Sequence, residues 1–311
     1  MATEKSNIWL VILAFFTLYF VWGTTYLAIR WGVETFPPLL LAGVRFLSAG
    51  TLLMGFLLAR GVPFPRLIEW RSALIIGSLL LLGGNGLVSI ASKELPSSLI
   101  ALIVATMPLW MQALDWLAFR GPRPTPQAIA GLLLGLVGIA LLLDPDGFRT
   151  GRLHLPSILL VVWGPLLWAF GSLYSRRAPQ APQLLMATSA QLLMGGGIML
   201  LVGLLLGEAN AFDLAAVSTR SWGALAYLIV FGGIFVYPAY VWLLRVVAAP
   251  KVATYAYVNP AVAVFVGWWL AGEVITRRTL LASVVIIAAV VLVTTAQIKR
   301  PVPVEVEVGV G

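Results

Sequence analysis

Long apolar runs alternate along this chain with short breaks rich in Pro, Gly and Arg. A helix needs about 20 apolar residues to cross a bilayer core. Ten runs come near that length: Ile8–Ala28, Leu39–Leu58, Ala73–Ala91, Leu99–Phe119, Gln127–Leu143, Ser157–Tyr174, Leu184–Leu206, Trp222–Leu243, Val252–Ala271 and Leu280–Ile298. Between them lie Phe36-Pro37-Pro38, Arg60-Gly61-Val62-Pro63, Leu95-Pro96, Arg120-Gly121-Pro122, Asp144-Pro145-Asp146-Gly147 and Arg176-Arg177-Ala178-Pro179, all turn and breaker signals. The fifth run is short for a crossing. The first is too long and too aromatic for a cleaved leader. The pattern predicts an all-α polytopic membrane protein of ten transmembrane helices.

Composition narrows the chemistry. Of 311 residues, 60% are hydrophobic and 10% charged, where soluble domains run near a quarter charged. That leaves too few polar residues to cover a water-facing surface and too many Leu, Val, Ile and Phe for disorder. The absence of Cys excludes disulfides, thiolate metal sites and cysteine catalysis. A single histidine, His154, cannot make a zinc site of the usual kind. No cofactor and no metal are expected. The net charge of +8 is spread in ones, twos and threes between apolar runs, a pattern that suits anionic lipid and not nucleic acid. With the N-terminus cytoplasmic, twelve Lys and Arg fall on the cytoplasmic side and seven on the other, with Arg45 inside a run. The bias predicts both termini inside, although Arg277-Arg278 runs against it.

The two halves echo each other at an offset near 150. Trp22-Gly23-Thr24-Thr25-Tyr26 resembles Phe170-Gly171-Ser172-Leu173-Tyr174. Ala101 with Pro108 matches Ala253 with Pro260, and Gly131 and Gly138 fall where Ala282 and Ala289 fall. Five runs per half is an odd number, so the second half must enter the membrane from the opposite side. Two inverted repeats are the arrangement of many secondary transporters. The boundaries predicted are 1–148 and 149–300 for the repeats, with 301–311 a disordered tail.

Polar residues inside the runs mark candidate chemistry. Charge in hydrocarbon costs roughly 2.5–3.5 kcal/mol on insertion scales. Arg45 lies about 10 Å along its run at the helical rise, too deep to snorkel easily. Two readings are open for it: a ligand for an anionic group such as a substrate carboxylate, or a structural residue that bonds helix-end carbonyls or pairs with an outer carboxylate, for example Glu34 or Glu273. Asp115 reads as an interfacial partner of Arg120, and Glu273 as a solvated partner of Arg277 and Arg278. Asn85 sits in Gly83-Gly84-Asn85-Gly86, where glycines let another backbone approach. Pro108, Pro238 and Pro260 predict kinks that serve gating, and Asn259 places an amide beside the last of them. Trp31, Trp70, Trp116 and Trp222 sit at run ends as interface anchors. Tyr19, Trp22 and Tyr26 share one helical face. Trp110, Trp163, Trp168, Tyr237, Tyr255 and Tyr257 lie deeper, where their polar tips need partners.

These segments resemble the EamA-type members of the drug/metabolite transporter (DMT) superfamily, and most closely the YedA-like exporters of the bacterial inner membrane. The resemblance is carried by Trp22-Gly23-Thr24-Thr25-Tyr26, Ala42-Gly43-Val44-Arg45-Phe46, Gly84-Asn85-Gly86, Ala105-Thr106-Met107-Pro108, Trp168-Ala169-Phe170-Gly171-Ser172, Tyr255-Ala256-Tyr257-Val258-Asn259-Pro260 and Gly272-Glu273. It covers roughly Leu18 to Thr295. It implies two inverted five-helix repeats around a central cavity lined by the first four helices of each, and export of small metabolites. Two features depart from it: Arg120-Gly121 stands where a Gly-Glu pair is expected, and the tail from Pro301 has no counterpart.

The leading expectation is a secondary exporter of amino acids or amphipathic drug-like compounds, with Trp22, Tyr26, Arg45, Asn85, Tyr257 and Asn259 contacting the small-molecule substrate. A passive channel or lipid scramblase shares the topology. An intramembrane enzyme is disfavoured, because there is no G-x-S-x-G and no second deep carboxylate. ATP-driven transport lacks its phosphate loop. The partners expected are a small solute and the lipid bilayer.

Overall fold

In a computed structural model of the chain, the described residues are 8–142, 154–210, 212–247, 252 and 255–298, without the side chains at 139, 142, 244, 245, 257, 294, 297 and 298. Among them the fold is helical throughout, with no strand. Helices α1 (Ile8–Gly32), α2 (Pro38–Ala59), α3 (Leu67–Ala91), α4 (Ser97–Ala118), α6 (Leu155–Ser175), α7 (Leu184–Leu205) and α8 (Thr219–Leu243) are each long and apolar enough to cross a membrane. Helices α5 (Pro126–Leu142) and α9 (Tyr255–Ala271) are shorter, and α10 runs Arg277–Ile298. The predicted tail 301–311 lies outside the described residues.

Pro, Gly and acid set the ends. Pro38 opens α2 at a position whose N–H is unneeded. Gly61, Gly207 and Gly272 follow α2, α7 and α9 in the left-handed region, at φ 77°, 78° and 62°, where the absence of a Cβ removes the usual strain. Arg120 takes the equivalent place after α4 at φ 55°.

The internal echo reappears as shape. Helices α2 and α7 are each 22 residues long. Within α3, residues Ser78–Gly86 are wound as a π-helix, and within α8 so are Leu228–Val236; the second segment begins and ends 150 positions after the first. α1 carries a shorter π segment, Thr17–Val21. Its counterpart α6 has Pro165 inside the helix instead. Each device loosens the regular ladder near mid-helix, which in membranes requires protein to meet the displaced backbone groups.

Helices α2 and α7 pack at close quarters through small residues. A Cβ on Gly196 would lie 2.7 Å from the backbone nitrogen of Leu47, whereas one on Gly197 would meet nothing within 4 Å. Backbone cannot yield, so Gly196→Ala should destabilise the protein by ~1–3 kcal/mol. Gly197→Ala should be neutral or gain up to about 1 kcal/mol of helix propensity. Thermal unfolding midpoints of the two variants in detergent check this, the first falling and the second not.

A central cavity between the two halves

Several of the mid-helix irregularities, those of α3 and α6 among them, border a cavity. Its walls are Trp22, Thr25, Tyr26 and Ile29 of α1, Gly84, Asn85 and Val88 of α3, Val104 and Met107 of α4, Gly164, Pro165 and Trp168 of α6, and Tyr255 and Asn259 of α9. Its empty space is about 560 Å³ with the open mouth included. Among the described residues, the lining carries no charged side chain.

Helix breaks place these groups. In α4 the helix is interrupted at Ala105–Thr106, just before Pro108, which puts Val104 and Met107 on the wall. Pro238 follows the π segment of α8, and Pro260 lies inside a continuous α9. Gly84 lets α6 in: a Cβ there would lie 2.6 Å from Trp168 Cε3. Asn85 is then carried on the π turn, its carbonyl accepting the Ser89 hydroxyl at 2.9 Å.

Asn259 has a structural task as well as a cavity position. With its amide nitrogen turned toward α1, it donates to the carbonyls of Leu18 and Tyr19 at 3.0 Å each, and reaches Tyr255 O at 3.3 Å. Leu18 and Tyr19 belong to the π segment of α1, so the side chain of one half satisfies irregular backbone of the other.

Aromatic rings from four helices meet beside the cavity. Trp22 meets Tyr255 at 5.0 Å, Tyr240 at 5.1 Å and Trp168 at 5.9 Å, and Tyr240 meets Tyr255 at 5.9 Å. The pairs are tilted or edge-on, the arrangement ring quadrupoles favour. Behind them the Tyr237 hydroxyl donates to Gln191 Oε1 at 2.9 Å.

Of the predicted contacts, Trp22, Tyr26, Asn85 and Asn259 meet in this cavity. The side chain of Tyr257 lies outside the described residues. Arg45 stands apart from the lining. It is 2% exposed between α2 and α8, its guanidinium 4.4 Å from the Phe46 ring and against Gly232, and its Nε has no hydrogen-bond partner. Neither proposed carboxylate partner reaches it: Glu34 lies 3.6 Å from Arg220, and Glu273 pairs with Arg30. Trp163 is 56% exposed and faces away from the cavity. Pro165 and Tyr240 carried no distinguishing signal in the sequence. Thr25, Trp168 and Tyr255 lay in the quoted motifs.

Two sequence expectations are corrected. No ion pair joins Asp115 to Arg120 among the described residues. The left-handed Arg120 instead brings Gly121 N to within 2.7 Å of Asp115 O. Glu273 is not a solvated partner of Arg277 and Arg278. Gly272 reverses the chain and turns the carboxylate inward, leaving it 3% exposed. There it accepts from Ser97 N and Oγ at 2.8 and 2.7 Å, from Ser98 N and Oγ at 3.1 and 2.6 Å, and from Arg30 Nη1 at 2.6 Å. Burial pushes this carboxyl up, but the hydrogen bonds from Ser98 and Ser97 outweigh it and hold the group below the usual carboxylate range.

An uncharged, aromatic-walled cavity within the membrane, shared between two related halves, is the arrangement of a secondary transporter. The chain belongs to the EamA-like transporter family, whose pattern matches residues 9–144 and again 155–295. This places it in the DMT superfamily. It is 40% identical over 289 residues to the "Uncharacterized inner membrane transporter YedA" of Escherichia coli strain K12, covering 93% of this chain and 92% of that protein. A "Probable amino-acid metabolite efflux pump" of Salmonella typhimurium is 24% identical over 160 residues, 51% of each chain. A solved crystal structure aligns with a TM-score of 0.64 at 21% identity, covering 92% of this chain and 97% of that one, a likeness of fold.

Two outcomes follow from the site. Asn259→Leu keeps the bulk and removes the donor, leaving buried carbonyls of α1 unpaired, so it should cost ~1–3 kcal/mol, read as a lowered unfolding midpoint in detergent. Because the pKa of Glu273 is depressed in the folded protein, its contribution is present at neutral pH and lost as pH falls through that depressed value. The gap in unfolding midpoint between wild type and Glu273→Gln should therefore be widest near pH 7 and shrink once the pH drops below the usual carboxylate range.

Proposed function

We propose that the chain is a secondary exporter of small metabolites, amino acids or amphipathic drug-like compounds, working by alternating access in the bacterial inner membrane. The observation that carries this reading is the single cavity walled by α1, α3 and α4 of the first half and α6 and α9 of the second. The proposed frame is ten spans in two inverted five-helix repeats, 1–148 and 149–300, with both termini cytoplasmic. Spans α1–α4 rock against α6–α9, and the irregular points at Pro108, Pro238 and Pro260 absorb the motion. The family match and the inner-membrane relative support the class and the location. The efflux-pump relative supports the solute class and direction.

In this reading Trp22, Tyr26, Asn85, Tyr257 and Asn259 contact the solute. Arg45, held without a carboxylate beside the π segment of α8, receives an anionic group when α8 moves. In this reading no cofactor takes part and the solute is carried unchanged, which the transporter family and relatives support.

The test is counterflow in liposomes carrying the purified protein, with labelled amino acids and a cationic amphiphile as solutes. Saturable flux stimulated by solute on the far side is expected. Asn85→Ala and Arg45→Ala should each lower it by roughly tenfold, the effect of one lost buried hydrogen bond. Wild-type transport and binding in both variants would remove these residues from the site. Linear, non-saturating flux would favour a passive channel or lipid scramblase.

A further inference from the structure

We infer that Glu208 and Glu273 form a two-point latch that closes one face of the cavity and makes the state closed there the resting state. The inference rests on the alternating-access reading above.

Both carboxylates come from the second half, and both sit on helix N-termini of the first. Glu208 accepts from Leu39 N and Leu40 N at 3.0 Å, at the first turn of α2. Glu273 accepts from Ser97 and Ser98 at the first turn of α4 and binds Arg30 near the end of α1. A helix N-terminus presents unpaired N–H groups and a positive dipole end, so a carboxylate there is held by charge-assisted bonds. The α7 and α9 ends are thereby clamped to α1, α2 and α4, helices the rocking motion must separate.

The opposite face has no such clamp among the described residues. Its described helix starts are capped from within their own half: α3 by Glu69, α5 by Thr125 and α7 by Gln183. The hydrogen bonds between halves there are Arg177 Nη2 to Phe119 O, and Gln127 to Leu292 O and Thr295, beside an apolar cluster that joins Leu57 and Ala73 to Met186 and Ala190. None involves a carboxylate.

The asymmetry falls at matched positions. Each glutamate directly follows a left-handed residue that ends a helix, Gly207 or Gly272. After the matching left-handed residues of the first half, Gly61 and Arg120, stand Val62 and Gly121. The fold is thus duplicated but the clamp is not. Two packings that symmetry would make nearly equal in energy are biased toward one.

The chain contains no Cys, so Thr25→Cys on the cavity wall gives a single reporter. Its labelling by a membrane-impermeant maleimide is measured from each side of vesicles of known orientation, with no solute present. Glu273→Gln and Glu208→Gln should each speed labelling from the latched face by roughly tenfold and slow it from the other. Ser97→Ala with Ser98→Ala, which keeps the carboxylate and the helix, should act in the same direction and guards against misfolding of the charge variants. Glu34→Gln, which breaks an exposed pair on the same face, should leave both rates alone. Unchanged rates, or equal acceleration from both sides, would overturn the latch. Failed counterflow with shifted labelling would instead overturn the carrier reading and leave the latch standing.

Discussion

Inside a lipid bilayer no water is available to a backbone group that loses its partner, so every departure from a regular helix has to be met by protein. Several departures lie at or beside the cavity: π segments in α1 and α3, a break in α4, and prolines inside α6 and α9; a further π segment lies in α8. What meets them comes from across the molecule. Asn259 of α9 reaches the carbonyls of Leu18 and Tyr19 in α1. Glu208 and Glu273 reach the bare amides that begin α2 and α4. The halves are therefore held together by polar groups that neither half could satisfy alone, while apolar packing supplies the bulk of the contact.

The cavity that results is chemically mild. Its wall mixes aromatic rings with two carboxamides and hydroxyls, and carries no formal charge. Rings offer large contact area and a polar tip at little conformational cost, so such a wall accommodates solutes of varied shape. The deep cation, Arg45, is kept off this wall by its position between α2 and α8. In the proposed carrier, α8 has to shift before the guanidinium meets a solute.

The spans were readable because apolar length is a composition signal that survives local irregularity, and the elements at 38–59 and 184–205 fall close to their predicted runs. The cavity was readable in part. Trp22, Tyr26, Asn85 and Asn259 stood out as polar or aromatic groups deep in apolar runs. The π segments did not, because residue pattern barely distinguishes a helix holding one more residue per turn. Glu273 was misread for a related reason. Its neighbours in sequence are Arg277 and Arg278, and only the left-handed turn at Gly272 decides that its neighbours in space are Ser97, Ser98 and Arg30. That Arg45 is buried on α2 facing α8, and not on the cavity wall, follows from how those helices pack, which residue counting does not give.

The matched π segments of α3 and α8 bear on how the two halves are related. Both run nine residues, and the second begins and ends 150 positions after the first. Each lies in its own copy of the family pattern, residues 9–144 and 155–295. An irregular winding kept at one register in both copies is a shared trait of the repeat and not a local accident of either stretch.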